Sequence, residues 1–133
     1  MSKTISERMD DRQARREGHS GEPGGETLRV PVNMYETDGA LVIVAPLPGV
    51  MPEDVSVTVE PGRVTLAASM RSPAPKEYLV HEWHYGPFER VLDVPEGYGG
   101  DAKASFGNGQ LAVSVGRGEA AGDGPLVLTP VSH

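Results

Sequence analysis

From Val30 to Gly116 the sequence predicts an all-β domain, an antiparallel β-sandwich. Three observations carry this reading. Apolar residues recur with period two in short runs, the runs are separated by turn formers (Asp38-Gly39, Pro61-Gly62, Asn108-Gly109), and nowhere does the periodicity of an amphipathic helix appear. Strands whose faces are buried by a second layer leave this signature.

The elements follow in order. Val32 to Glu36 is a first strand, and Asp38-Gly39 turns the chain into Leu41-Val42-Ile43-Val44-Ala45, apolar at every position and therefore expected to be covered on both faces. Pro48-Gly49 ends that strand, because proline removes a ladder donor and glycine tolerates positive φ. Val55-Ser56-Val57-Thr58-Val59 alternates strictly, Pro61-Gly62 turns, and Val64 to Ala68 returns. A long strand is predicted from Tyr78 to about Val94, closed by Pro95. On it, alternation places Trp83 and Tyr85 on one face and His81 and His84 on opposite faces. Asp101 to Phe106 and Leu111 to Val115 form the last hairpin, about Asn108 and Gly109, the strongest short-range hairpin signal in the chain.

The flanks differ in composition. Residues 1–29 carry no aromatic residue and few aliphatics, with Gly and Pro between 18 and 25, so they cannot bury enough apolar surface to offset their ordering entropy. A polar, mobile arm is expected, with a nascent helix over residues 5–17 favoured by a Thr4/Glu7 capping box and an Asp11/Arg15 pair. Residues 117–133 form a Gly-, Glu- and Ala-containing extension that carries one isolated apolar triplet, Leu126-Val127-Leu128, between Pro125 and Pro130. Such a triplet either folds back as an edge strand of its own domain or docks on a neighbouring subunit, since an extended segment adds readily to a sheet edge.

Composition bounds the function. With 133 residues there is room for one core. The absence of cysteine removes disulfides, thiolate metal sites and cysteine nucleophiles, and fits a reducing compartment. The start of the chain is charged and no apolar run is long enough to span a bilayer, so a soluble cytoplasmic protein with no membrane association is expected. The net charge is −7. Residues 1–29 hold six Lys/Arg and six Asp/Glu, so the acidic excess lies wholly in the remainder, which argues against nucleic acid as a partner.

No catalytic or cofactor-binding constellation emerges. His81 and His84 are three apart, not the four that place two zinc ligands on one helical face. Gly107-Asn108-Gly109 is followed by strand-like alternation, whereas a dinucleotide fingerprint must open a helix. Walker A and nucleophile-elbow patterns are missing. The sequence therefore predicts no enzyme activity, no cofactor and no metal.

Leu47-Pro48-Gly49-Val50 with Glu53-Asp54, then Gly86-x-Phe88-x-Arg90, Pro95, and Ala104-x-x-x-Asn108-Gly109-x-Leu111 occur in one order and spacing. In this the chain resembles the small heat-shock proteins with an α-crystallin domain, over about residues 30–116. The resemblance implies an immunoglobulin-like sandwich and an ATP-independent holding chaperone that binds unfolding client proteins. It also implies a homodimer built around Val32, Met34, Tyr35 and Arg90, and higher homo-oligomers. The family's C-terminal anchor of two aliphatics is similar to Leu126 and Leu128. Its receiving groove in another subunit corresponds here to Val55, Val57 and Val59 on one strand and Ala104 and Phe106 on another. Two departures stand out: family members of this type usually carry an apolar N-terminal arm, whereas this one is polar. The segment between Met70 and Tyr78 is also short, and Pro73 and Pro75 disfavour an exchanged strand there. The competing reading is a monomeric co-chaperone or adaptor that binds one defined protein partner.

Overall fold

A computed structural model describes residues 27–71, 74–119 and 124–132; the nascent helix expected over residues 5–17 lies outside these. Two five-stranded sheets face each other. The first contains β1 (Leu28–Arg29), β6 (Pro87–Asp93), β5 (Arg63–Ser69), β4 (Val55–Glu60) and β9 (Leu126–Leu128), in that spatial order. The second contains β10 (Val131–Ser132), β7 (Ala102–Gly107), β8 (Gln110–Gly116), β3 (Ala40–Pro46) and β2 (Asn33–Glu36). Among the described residues the helical content is a single 3₁₀ turn, Pro52–Asp54.

Alternation builds the core. Leu41, Ile43 and Ala45 of β3, beside Leu111, Val113 and Val115 of β8 in the same sheet, face Val55 and Val57 of β4 and Val64, Leu66 and Ala68 of β5 across one shared interior. Each Val, Leu and Ile among them contributes roughly 1.5–3 kcal/mol by leaving water, and each Ala less, so this interior dominates the stability. The outer face of β3 is only half-covered: Val42 and Val44 are partly exposed, whereas the apolar run had predicted burial on both faces. Valine there serves the pleated backbone's preference for β-branched residues as well as packing.

The turns place two of the motifs that carry the resemblance side by side. Asn108 and Gly109 join β7 to β8 with φ of 52° and 72°, the left-handed pair of a two-residue hairpin. The Leu47 amide donates to the Gly109 carbonyl at 2.7 Å, and a Cβ on Gly109 would meet Pro48 Cα at 3.4 Å. The Leu-Pro-Gly turn after β3 and the Asn-Gly turn after β7 thus close one end of the sandwich together.

The long strand expected from Tyr78 is corrected to Pro87–Asp93. Gly86 has φ of 148°, which breaks the pleat, and Pro87 has no donor to extend the ladder backward. The preceding residues 74–86 form a loop closed by a bond from the Met70 amide to the Gly86 carbonyl at 3.3 Å. His81 and His84 therefore do not point apart. Their ring centroids lie 4.5 Å from each other, with Tyr78 stacked 4.4 Å from His81. Trp83 and Tyr85 do meet, at 5.2 Å.

The two flanks also differ from a purely antiparallel sandwich. β1 pairs with β6 in parallel, Leu28 opposite Phe88, and β10 pairs with β7 in parallel, Val131 opposite Ser105. Leu28 and Arg29, read from composition as part of the polar arm, are thus strand residues. Consecutive strands β1 and β2 belong to different sheets, so residues 30–32 cross from one layer to the other on one flank. Thr129-Pro130 makes the corresponding crossing between β9 and β10 on the opposite flank.

Candidate functional site

The groove lies between the outer edges of β4 and β7, on the flank where β9 and β10 sit. Strict alternation in β4 sends Val55, Val57 and Val59 toward the interior, and β7 sends Ala104 and Phe106 to meet them. Val57 is fully buried, Val55, Ala104 and Phe106 nearly so, and Val59 forms the partly exposed rim. The expected receiving residues therefore lie on adjacent edges of the two sheets.

The chain's own C-terminal triplet occupies this groove. Val57 stands opposite Leu128, Thr58 opposite Val127 and Val59 opposite Leu126, in antiparallel register. Residues directly opposite in such a ladder share a face, so Leu126 and Leu128 point inward and Val127 outward. Leu128 packs against the core, whereas Leu126 remains 47% exposed, beside a cleft of about 640 Å³ whose rim carries Glu60, Asp101 and Lys103. The edge that the tail covers would otherwise present unpaired amides and carbonyls to any extended chain.

The other flank holds the residues expected at a dimer contact. Met34 pairs with Ile43 and, like Val32, packs against the protein's own core, while Tyr35 is exposed on the outer face of the free edge strand β2. Arg90 shares a strand face with Phe88 and Leu92 and donates from Nη1 to the Val30 carbonyl at 3.0 Å. Burial, reinforced by the neighbouring Arg29 cation, pushes the Arg90 guanidinium below its usual pKa. At the far end of β2, the Tyr98 hydroxyl donates to Glu36 Oε2 at 2.6 Å, and Arg117 lies over the Tyr98 ring with its Cζ 4.9 Å from the centroid. Tyr98 is raised above its ordinary pKa, chiefly by the Glu36 bond and then by burial.

Two features were not found from sequence. Tyr78, Leu79, Val80 and Trp83 form an exposed apolar group on the 74–86 loop, Leu79 with its side chain wholly in solvent. Apolar alternation had hidden them in a strand. Val131 and Ser132 pair with the second sheet and Pro130 before them is buried; the proline was read only as a boundary of the triplet. Among the described residues no group of three or more His, Cys, Asp or Glu could hold a metal, and no helix is long and apolar enough to cross a membrane.

Comparison with known proteins places this architecture. Residues 33–125 match the Hsp20/alpha crystallin family. The 16.9 kDa class I heat shock protein 3 of Oryza sativa is 39% identical over 94 residues, covering 66% of this chain and 62% of the relative. The 18.0 kDa class I heat shock protein of Daucus carota is 36% identical over 107 residues, 74% of this chain and 67% of the relative. The chain thus spans between half and two thirds of the length of several such relatives. Among solved structures, hspA from Xanthomonas axonopodis superposes with a TM-score of 0.64 at 24% identity, covering 71% of this chain and 99% of that one. Heat shock protein 16.0 from Schizosaccharomyces pombe gives 0.62 at 20% identity, covering 81% and 80%. These structures share the fold. With the family profile spanning most of the sandwich and both motif turns, this chain belongs to the Hsp20/alpha crystallin family of small heat-shock chaperones.

Proposed function

We propose that the protein is an ATP-independent holdase that binds partly unfolded proteins and limits their aggregation, working as a homodimer or larger homo-oligomer and making or breaking no covalent bond. The single observation that carries this is the groove between β4 and β7 closed by an aliphatic tail segment that remains partly exposed. Full burial of two leucines contributes roughly 3–6 kcal/mol, most of which association entropy consumes. Leu126, still 47% exposed, contributes less than its share. One tail therefore binds weakly, and tethering many tails at millimolar effective concentration lets assemblies persist while single contacts exchange. Leu126 and Leu128 are the anchor, Val55, Val57, Val59, Ala104 and Phe106 the receiving groove of a neighbouring copy. Val32, Met34, Tyr35 and Arg90 shape the dimer flank. The exposed loop residues Leu79, Val80 and Trp83 supply apolar surface of the kind that contacts partners.

Mixing the full chain with a heat-labile enzyme, without nucleotide, and recording light scattering tests this. Suppressed scattering at several-fold molar excess is expected; undiminished aggregation overturns it. A second reading, a monomeric adaptor for one defined partner, is favoured by the tail satisfying its own edge within one chain. Mass-resolved size exclusion of wild type and the Leu126→Ala/Leu128→Ala variant separates them, since an adaptor stays monomeric in both and a holdase loses mass in the variant.

A further inference from the structure

The most deeply placed residue of the C-terminal segment is neither leucine of the anchor. It is Pro130, which is buried, while Leu126, Val127 and Val131 keep about half or more of their surface. The segment has two pairing halves. Leu126–Leu128 joins the edge of β4 in one sheet, and Val131–Ser132 joins the edge of β7 in the other, with Thr129-Pro130 crossing the open flank between them. A residue at that crossing faces no ladder partner, so an ordinary amide there would be orphaned. Proline has none to lose. Its ring also holds Thr129 extended, which fixes the spacing between the halves, so that seating one half positions the other at little further entropic cost.

The second half has its own seat. Ala104 and Phe106 are buried, so alternation turns Ser105, opposite Val131, to the outer face of β7. There Leu128, Thr129 and Val131 border an apolar groove of about 560 Å³ whose floor includes Val42 and Ala112.

We propose that residues Leu126–Ser132 form a two-sheet clasp, in which Pro130 and the Val131–Ser132 pairing are as necessary for seating as Leu126 and Leu128. Release of the clasp uncovers the β4 and β7 edges together, for the same segment of a second copy of this chain. This rests on the reading of the tail as an exchangeable anchor.

Hydrogen exchange of the full chain, read by segment, tests it. The variants are Pro130→Gly, a chain ending at Thr129, and Leu126→Ala/Leu128→Ala. All three are expected to accelerate the outward amides of both Val55–Glu60 and Ala102–Gly107 at least about tenfold, with Arg63–Ser69 unchanged as a control for folding. If the chain ending at Thr129 accelerates Ala102–Gly107 alone and leaves Val55–Glu60 at wild-type rates, the leucines seat unaided and the clasp is wrong. If the leucine variant also leaves both segments at wild-type rates, the anchor reading itself fails.

Discussion

The two flanks of the sandwich are closed by the same device, a segment that crosses from one sheet to the other, yet they are built differently. On the N-terminal flank Val30 is almost wholly buried at the crossing, its carbonyl accepts from Arg90, β2 pairs with β3 over four residues, and Tyr98 holds Glu36 at the far end. On the C-terminal flank the pairings cover three and two residues and the side chains Leu126, Val127 and Val131 stay largely exposed. The first flank is part of the core. The second buries little side-chain area, which is the mark of a segment of low local stability.

Substitutions sharpen that contrast. The largest effect is expected at the N-terminal crossing, where Val30→Asp replaces a core side chain with a desolvated carboxylate and costs about 3 kcal/mol or more in denaturant unfolding. A cost under about 1 kcal/mol would mean the crossing is as loosely held as the tail. Tyr98→Phe is expected to lower the thermal midpoint by a few degrees near neutral pH, since Glu36 loses its donor. Its pH dependence has a definite sign. The folded protein holds the Tyr98 proton above the ordinary value near 10, so the stabilisation is complete below that value and is lost as pH rises through the folded one. The gap between wild type and Tyr98→Phe should therefore close in alkaline titration; a gap that widens would contradict the assigned bond. Leu126→Ala/Leu128→Ala should shift the unfolding free energy by only about 1.5 kcal/mol while reducing the assembly mass, which separates a departing segment from a structural one. Arg71→Ala is expected to have the smallest effect, a midpoint within about 1 °C of wild type. The Arg71 guanidinium lies 2.7 Å from Asp54 but is exposed, where solvent screens the pair.

The same contrast explains what was legible in the sequence. Strands β4, β5, β7 and β8 announce themselves because one face of each meets the other sheet, so alternation is enforced residue by residue, and β3 by its continuous apolar run. Asn108-Gly109 is legible because few residue pairs accept two successive left-handed conformations. β1 and β10 are two residues long and are set by the edges they meet, a non-local circumstance that leaves no periodicity to read. Residues 78–86 mislead for a different reason. Tyr78, Val80, Trp83 and Tyr85 intersperse apolar and polar residues as a strand does, yet the backbone breaks at Gly86-Pro87, and Tyr78, Val80 and Trp83 meet solvent while Tyr85 alone reaches the core. A run that looks like a strand but ends in Gly-Pro is better weighed by its break than by its pattern. Within the groove, Val57 and Phe106 were legible as inward residues of alternating strands, whereas Pro130 carries no hydropathy signal and is identified only by its burial at the crossing between β9 and β10.

Because the chain contains no cysteine, the exchange of tails can be trapped directly. Val59 and Leu126 stand opposite each other in the ladder, at a separation a disulfide can bridge. Two single-cysteine proteins, Val59→Cys and Leu126→Cys, are purified apart, mixed, oxidised, and the linked peptides identified by mass spectrometry. The account predicts a Cys bridge joining one protein's β4 to the other's tail, formed within the mixing time. Absence of that bridge in the mixture, with an intramolecular one forming readily in the Val59→Cys/Leu126→Cys double variant, would show that each tail serves only its own domain and would contradict the account.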